Sequence, residues 1–465
     1  MAFVGVDIGT SFIKGAVLDA DALSMSHIRR VPFPDPLPGL PPLYREFDPQ
    51  AVLSAVQQLL ADLLPHAAGC EGIVMCSQMH GLIFATERGE PRSNLTTWQD
   101  QRVLEPHPTG EGTYLNVLRQ RLNPEQVRQL GNELRPGQPL GLLFWLAERG
   151  QLPREGAIPA SLPDFVLANL CSAAPSTEVT NAAAHGALDL ETLDWHREVL
   201  SLLGVSGLVW PVIRRHGEVV GWLPAGSGTI PCYTPVGDYQ CAITGALLQY
   251  GELSLNISTG SQVSLLVPRA EFGSYQTRPF FDGRYLATIT HIPAGRALKA
   301  LVNHLSELAE AQGLSLADPW PYITRQAAEA GGTEMRVNLA FFDSSCGDRG
   351  EIAQIREAEL TVGHLFRAAF QNMADNYYAC ALQLSPEQAW DNLVLSGGLA
   401  QIGLLCQLIA YKFGKGYRLC PTSEDTLLGL LALALAFTRR AASVGEAMSM
   451  LLEAHGGQDA RQHPG

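Results

Sequence analysis

The chain has 465 residues, 46% of them hydrophobic and 17% charged, with a formal net charge of −14. That length is more than one hydrophobic core serves and predicts two large domains. The acidic balance, with no run of Lys or Arg, excludes a nucleic-acid-binding stripe, and nine cysteines without a C-x-x-C pair exclude a zinc ribbon and point to reduced thiols rather than disulfides.

Residues 1–20 lack the pattern of a signal peptide, because Asp7 and Lys14 interrupt any apolar core. Two runs rich in Val, Ile and Ala, 4–8 and 12–18, flank Gly9, Thr10 and Ser11, which predicts a β-hairpin whose turn presents amides and hydroxyls. Asp7 can hold a hydrated divalent cation there, Gly9 lets the chain approach a phosphate, and Thr10, Ser11 and Lys14 offer donors. An ordinary hairpin with a satisfied aspartate is the competing reading.

Pro32, Pro34, Pro36, Pro38, Pro41 and Pro42 require an extended crossing. Asp48 then caps a helix with Pro49 at its first position and a buried stripe from Val52 to Leu63. A buried strand over 72–76 delivers Ser77, Gln78, Met79, His80 and Gly81 at its C-terminal end, where open α/β sheets bind ligands. Trp98, Asp100 and Arg102 follow in a second polar cluster. A ring for an apolar face and charged groups for hydroxyls suit a polyhydroxylated ligand, while a core histidine, a packed tryptophan and a plain ion pair are the bland alternatives.

Residues 103–232 read as mostly helical, with a small-residue loop at 181–186 that points to no chemistry. Asp238 falls at or beside a helix N-terminus, where it serves either as a dipole-favoured cap or as a general base. Residues 255–267 repeat the shape of the opening hairpin around Thr259, Gly260 and Ser261, as a duplicated domain would. A boundary is therefore expected near 245, giving domains over 1–245 and 246–465. Helices are predicted over 295–312 and 363–384, separated by a charged loop at 346–350. Asp391 to Ala400 reads as strand, glycine turn and helix, with Gly397 and Gly398 letting a ring or phosphate approach the backbone. The run at 427–437 is too short to span a bilayer, so a cytoplasmic protein with no membrane partner is expected.

Taken in order, these segments resemble the FGGY family of carbohydrate kinases. Asp7 to Lys14 resembles the first phosphate motif, Gln78 to Gly81 the ketose-binding motif, Gly237 to Gln240 the motif of the catalytic base, Thr259 to Ser261 the second phosphate turn, and Ser396 to Gly398 the glycine turn near adenosine. Within the family, residues 95–102, 78–81 and 255–259 look most like the sedoheptulokinases. Gly347-Asp348-Arg349-Gly350 departs from the loop of many xylulokinases, and Leu399 stands where many members carry a third glycine.

The resemblance implies an α/β fold of two ribonuclease-H-like domains flanking a cleft, the first (1–245) binding sugar and the second (246–465) nucleotide, and ATP-dependent phosphorylation of the terminal hydroxyl of a ketose, sedoheptulose first, a pentulose or polyol as the alternative. Asp238 would be the base, and Asp7 would hold Mg²⁺ through water, with Asp238 as a second candidate ligand. Gln78, Met79, His80, Gly81, Trp98, Asp100, Arg102 and Asp238 would bind sugar. Gly9, Thr10, Ser11, Lys14, Thr259, Gly260, Ser261, Gly397 and Gly398 would bind ATP. The partners are then a sugar and ATP, with a monomer or homodimer expected. A catalytically silent sugar sensor and an actin-like assembly ATPase are rivals of other classes. The presence of both Asp7 and Asp238 argues against the first, and the polar cluster at 97–102 against the second.

Overall fold

The computed structural model describes residues 1–153, 156–226, 228–314 and 317–455. Strands β1 (Ala2–Ile8) and β2 (Phe12–Asp19) form the opening hairpin, in register from Ala2↔Asp19 to Ile8↔Ile13, and β3 (Ser24–Pro32) extends it. On the far side of β1, the fully buried β4 (Ile73–Ser77) adds in parallel, as an unbroken apolar run does when both faces are covered. β5 (Val219–Ala225), β6 (Gly228–Tyr233) and the short β7 (Val236–Gly237) complete a seven-stranded sheet. Helix α1 (Pro49–Leu63) covers one face, with the Asp48 carboxylate accepting from Gln50 N and Pro49 in the first turn, as the sequence predicts.

The second sheet repeats the plan. β8 (Glu252–Asn256) and β9 (Gly260–Val267) make a hairpin continued by β11 (Tyr285–Pro293), with β10 (Gln276–Pro279) at the edge. β12 (Asn392–Ser396) then adds parallel to β8, and β13 (Tyr417–Leu419) parallel to β12. Such a hairpin-plus-parallel-strand unit, occurring twice, is the duplicated α/β architecture expected from the echo at 255–267.

Helices α2 (Val179–Ala184), α3 (Asp238–Gly245), α4 (Gly295–Glu310), α5 (Val362–Leu384), α6 (Gly403–Phe413), α7 (Asp425–Phe437) and α8 (Val444–His455) position the cleft between the sheets. α3 and α7 cross in backbone contact. A methyl group on Gly245 would lie 1.7 Å from the Asp425 carbonyl oxygen, and one on Gly429 would lie 2.1 Å from that of Cys241. Only glycine at both positions permits that approach. α3, α7 and α8 share one core with Phe3, Ala16 and Leu18 of the first sheet and with Leu266, Leu286 and Val394 of the second, so these helices pack against both sheets. The glycine turn after β12 departs from expectation. A 3₁₀ turn (Gly398–Gln401) intervenes, and α6 starts only at Gly403.

Candidate active site

Both hairpin turns face the cleft. In the first, Gly9 N donates to Phe12 O at 3.1 Å, and Thr10 links three elements. Its hydroxyl accepts from Trp98 Nε1 at 3.0 Å and donates to Gln78 Oε1 at 3.3 Å, while Gln78 Nε2 donates to Gly9 O at 3.4 Å. Gln78, expected to contact sugar, is thus bonded to the turn. Trp98 itself is 45% exposed. Ser11 is exposed at the tip.

At the turn's base, Lys14 Nζ lies 3.5 Å from Asp7 Oδ2 and 3.3 Å from Glu424 Oε2. Burial alone would lower the lysine, but the two carboxylates outweigh it and raise its pKa. Arg30 also pairs with Glu424. Asp7 is buried; its Oδ2 accepts from Thr426 Oγ1 at 2.7 Å, and its Oδ1 has no hydrogen-bond partner among the described residues.

Asp238 opens α3 and is partly exposed. Burial, and then the Asp7 carboxylate, push its pKa up to about 7. Burial likewise raises Asp7 and takes Asp425 to about 6. Asp7 raises both Asp238 and Asp425, and Asp425 raises Asp238, so the three carboxyls lie near one another. A divalent cation beside them would relieve that repulsion.

Met79 and His80 follow β4 in the chain. A methyl group on Gly237 would meet Met79 Sδ at 3.1 Å, so Met79 packs against the residue preceding Asp238. His80 sits at φ +65°, and its buried Nε2 lacks a hydrogen-bond partner among the described residues, lying 3.8 Å from Glu133 Oε1. Burial pulls it down to about 4, so it is a neutral imidazole able to donate from one nitrogen and accept at the other. Gly81 lies in packing contact with Leu162, with no side chain offered to the cleft.

Asp100 and Arg102, expected to take sugar hydroxyls, bond each other instead. Arg102 Nε and Nη2 donate to Asp100 at 2.8 and 2.6 Å, Nη2 also reaches Glu46 at 2.6 Å, and Arg45 N donates to Asp100 at 2.8 Å. The guanidinium lies over the Tyr44 ring, 4.0 Å from its centroid. The pair anchors the segment that carries Trp98.

In the second turn, Thr259 and Gly260 are exposed to the cleft, and their backbone is fixed by α4, with Gly295 N donating to Ser258 O at 3.1 Å and Arg296 N to Thr259 O at 2.9 Å. Ser261 differs from expectation: fully buried, it accepts from Tyr377 OH at 2.8 Å and faces the core rather than the turn. Gly397 holds φ +87°, where a methyl group would meet Ile257 O at 2.5 Å, and Gly398 borders a cavity of about 640 Å³ with Trp320, Thr324, Arg325, Gln401 and Leu404. That volume accommodates a nucleoside.

The N-terminal half of the chain is decisive for its identity. Residues 2–245 match the N-terminal domain of the FGGY family of carbohydrate kinases. The chain belongs to that family. It is a phosphotransferase with an alcohol group as acceptor, of a family whose kinases use ATP. Human sedoheptulokinase is 25% identical over 83% of this chain and 87% of its own. Among solved structures, gluconate kinase from Lactobacillus acidophilus superposes with a TM-score of 0.82 at 19% identity, covering 97% of this chain and 92% of that one. Xylulose kinase from the same organism gives 0.81 at 19% identity, covering 96% and 91%.

For this FGGY kinase the structure adds residues that the sequence reading missed. Arg278 of β10 forms a two-pronged pair with Glu133, Nε to Oε2 at 3.0 Å, and its guanidinium lies 4.7 Å from the centroid of the Tyr239 ring. Arg135 joins His291 and lies 3.7 Å from Glu133. Burial works to raise Glu133, but the two guanidiniums outweigh it and hold the carboxyl at about 2. No motif flags these residues. The only trace is Glu133 and Arg135 two apart near Gly131 and Gly137, which is indistinguishable from a surface loop.

Proposed function

We propose that this kinase transfers the γ-phosphoryl group of ATP to the terminal hydroxyl of a ketose, with sedoheptulose as acceptor and sedoheptulose 7-phosphate as product. The observation that carries it is Asp238, a carboxylate at the start of α3 with its pKa near 7, suited to accept a proton from an attacking alcohol. The similarity to human sedoheptulokinase along most of both chains supports the choice of sugar.

In this reading Met79, His80 and the Trp98 ring position the ketose, and Asp100 with Arg102 hold the Trp98 segment in place. His80 Nε2, 3.8 Å from Glu133 Oε1 and without a hydrogen-bond partner among the described residues, is the group that would bond a sugar hydroxyl. Gly9, Thr10, Lys14, Thr259 and Gly260 meet phosphate oxygens from two sides, with Ser11 at the turn's tip. Lys14 would exchange Glu424 for phosphate and stay paired. Gly397 and Gly398 admit adenosine into the adjoining cavity. Asp7, with its unpartnered oxygen, and Asp238 as second ligand fit a hydrated Mg²⁺, which would supply charge neutralisation to the phosphates. The chain's own task is in-line placement of the hydroxyl and exclusion of water, since little covalent chemistry is left for the protein. A cytoplasmic site of action accords with nine free cysteines.

The test is ADP release with Mg·ATP over equal concentrations of sedoheptulose, xylulose, ribulose, fructose, gluconate and glycerol. Sedoheptulose should give the highest kcat/KM. A higher value for a pentulose or polyol, or no sugar-dependent ADP at all, overturns the assignment.

A further inference from the structure

The small-residue stretch at 181–186 points to no chemistry as sequence, yet with the residues just before it it lies against the strand that presents Asp238. Glu178 caps α2, accepting from Thr180 N at 2.7 Å and also from the Thr180 hydroxyl. Thr180 Oγ1 in turn accepts from Gly237 N at 2.9 Å, and Asn181 Nδ2 donates to Pro235 O at 2.9 Å. Glu178, Thr180 and Asn181 are each 1% exposed, so these bonds form where water does not compete.

The two backbone groups held by α2 bracket Val236. On the other side, Val236 and Gly237 pair with Cys76 and Ser77 of β4. The strand is therefore gripped from both flanks in the two residues before the base. α3 cannot set this geometry alone, because its N-cap is Gly237, which has no side chain to cap the helix. A methyl group on Gly237 would meet Gln240 Oε1 at 2.8 Å, so a side chain at that position would need Gln240 to move.

We propose that Glu178, Thr180 and Asn181 are positioning residues for phosphoryl transfer: they fix the peptide on either side of Val236, and through it the direction in which Asp238 presents its carboxylate to the acceptor hydroxyl. The proposal rests on the reading of Asp238 as base. A hydrogen-bond chain running from a buried carboxylate through a hydroxyl to a single amide is directional. Apolar packing would fill the space but would not fix that direction, and a displacement of about 1 Å at the reacting atoms costs on the order of 100-fold in rate.

Thr180→Val keeps the shape and removes the oxygen; Thr180→Ser keeps the oxygen. Thr180→Val should lower kcat about 100-fold, with KM for sugar and for Mg·ATP within about twofold, and Thr180→Ser should restore kcat to within about threefold. Should Thr180→Val fail to accumulate as folded protein, Asn181→Ala carries the same test, with kcat expected to fall at least about tenfold at unchanged KM. A kcat within twofold of wild type in the folded variant, a loss confined to KM, or a serine variant as slow as the valine one overturns the proposal. Asp238→Asn is assayed in parallel. If it stays active, the base assignment falls; if it is inactive while the Thr180 and Asn181 variants keep kcat, only the positioning role falls.

Discussion

Thr426 donates its hydroxyl proton to Asp7 Oδ2 at 2.7 Å, joining residues 419 apart in the chain. The bond holds one carboxylate oxygen at the start of α7 and leaves the other, Oδ1, without a partner among the described residues in a buried site. Asp7→Asn should therefore impair use of Mg·ATP and spare sugar affinity. A rise in KM for Mg·ATP or a fall in kcat of at least about 100-fold is expected, the order seen when a group stabilising transition-state charge is removed. Sugar titrated by calorimetry without nucleotide should bind with unchanged Kd, and weakened sugar binding would move Asp7 to the other site.

Asp238 gives two linked expectations. Asp238→Asn removes the proton acceptor and should cost between about 10² and 10⁴ in kcat while both substrates still bind. Because burial and Asp7 raise the carboxyl to about 7, the base is protonated and idle below that pH. The kcat/KM of the wild type should climb with pH up to about 7 and then level, falling about tenfold for each unit below. The climb should vanish in the residual activity of the asparagine variant. A wild-type profile flat from pH 5 to 7 would contradict the assignment.

Glu133 and Arg278, 145 residues apart, form a buried pair that ties a loop of the first domain to the edge strand of the second. Gly131 O accepting from Thr277 N at 3.1 Å reinforces the same junction. Removing Glu133 leaves the buried Arg278 without its carboxylate, and removing Arg278 leaves the buried Glu133 with only Arg135, 3.7 Å away. Glu133→Gln and Arg278→Met should each destabilise by about 3–5 kcal/mol, and the double variant by less than the sum. Urea unfolding of the three proteins measures this, and additive losses would show that the two side chains act independently.

At the helix crossing, Gly429→Ala places a methyl group 2.1 Å from a carbonyl oxygen that belongs to another helix backbone and cannot swing aside. The helices must separate, at a cost of about 1–3 kcal/mol or more. A drop in Tm together with a changed KM for both substrates is expected, since α3 and α7 each bring an aspartate to the cleft. An unchanged Tm would mean that the backbones have room to part.

What the sequence by itself determined is what depends on neighbours along the chain. The two hairpins, the capped helix at Pro49 and the start of α3 at Asp238 follow from turn chemistry, alternation and capping, which act over a few residues. The helix after Gly398 was misplaced for the same reason: glycines permit a turn without fixing where the next helix begins, and a 3₁₀ turn intervenes. Only the tertiary structure decided which polar groups face the cleft. Ser261 turns to Tyr377, and Asp100 and Arg102 close on each other. Glu133 meets Arg278, and Thr180 meets Gly237 from 57 residues away. Desolvation makes a buried polar atom find a partner, but which partner is within reach depends on how the sheets pack, and no spacing in the chain encodes that distance.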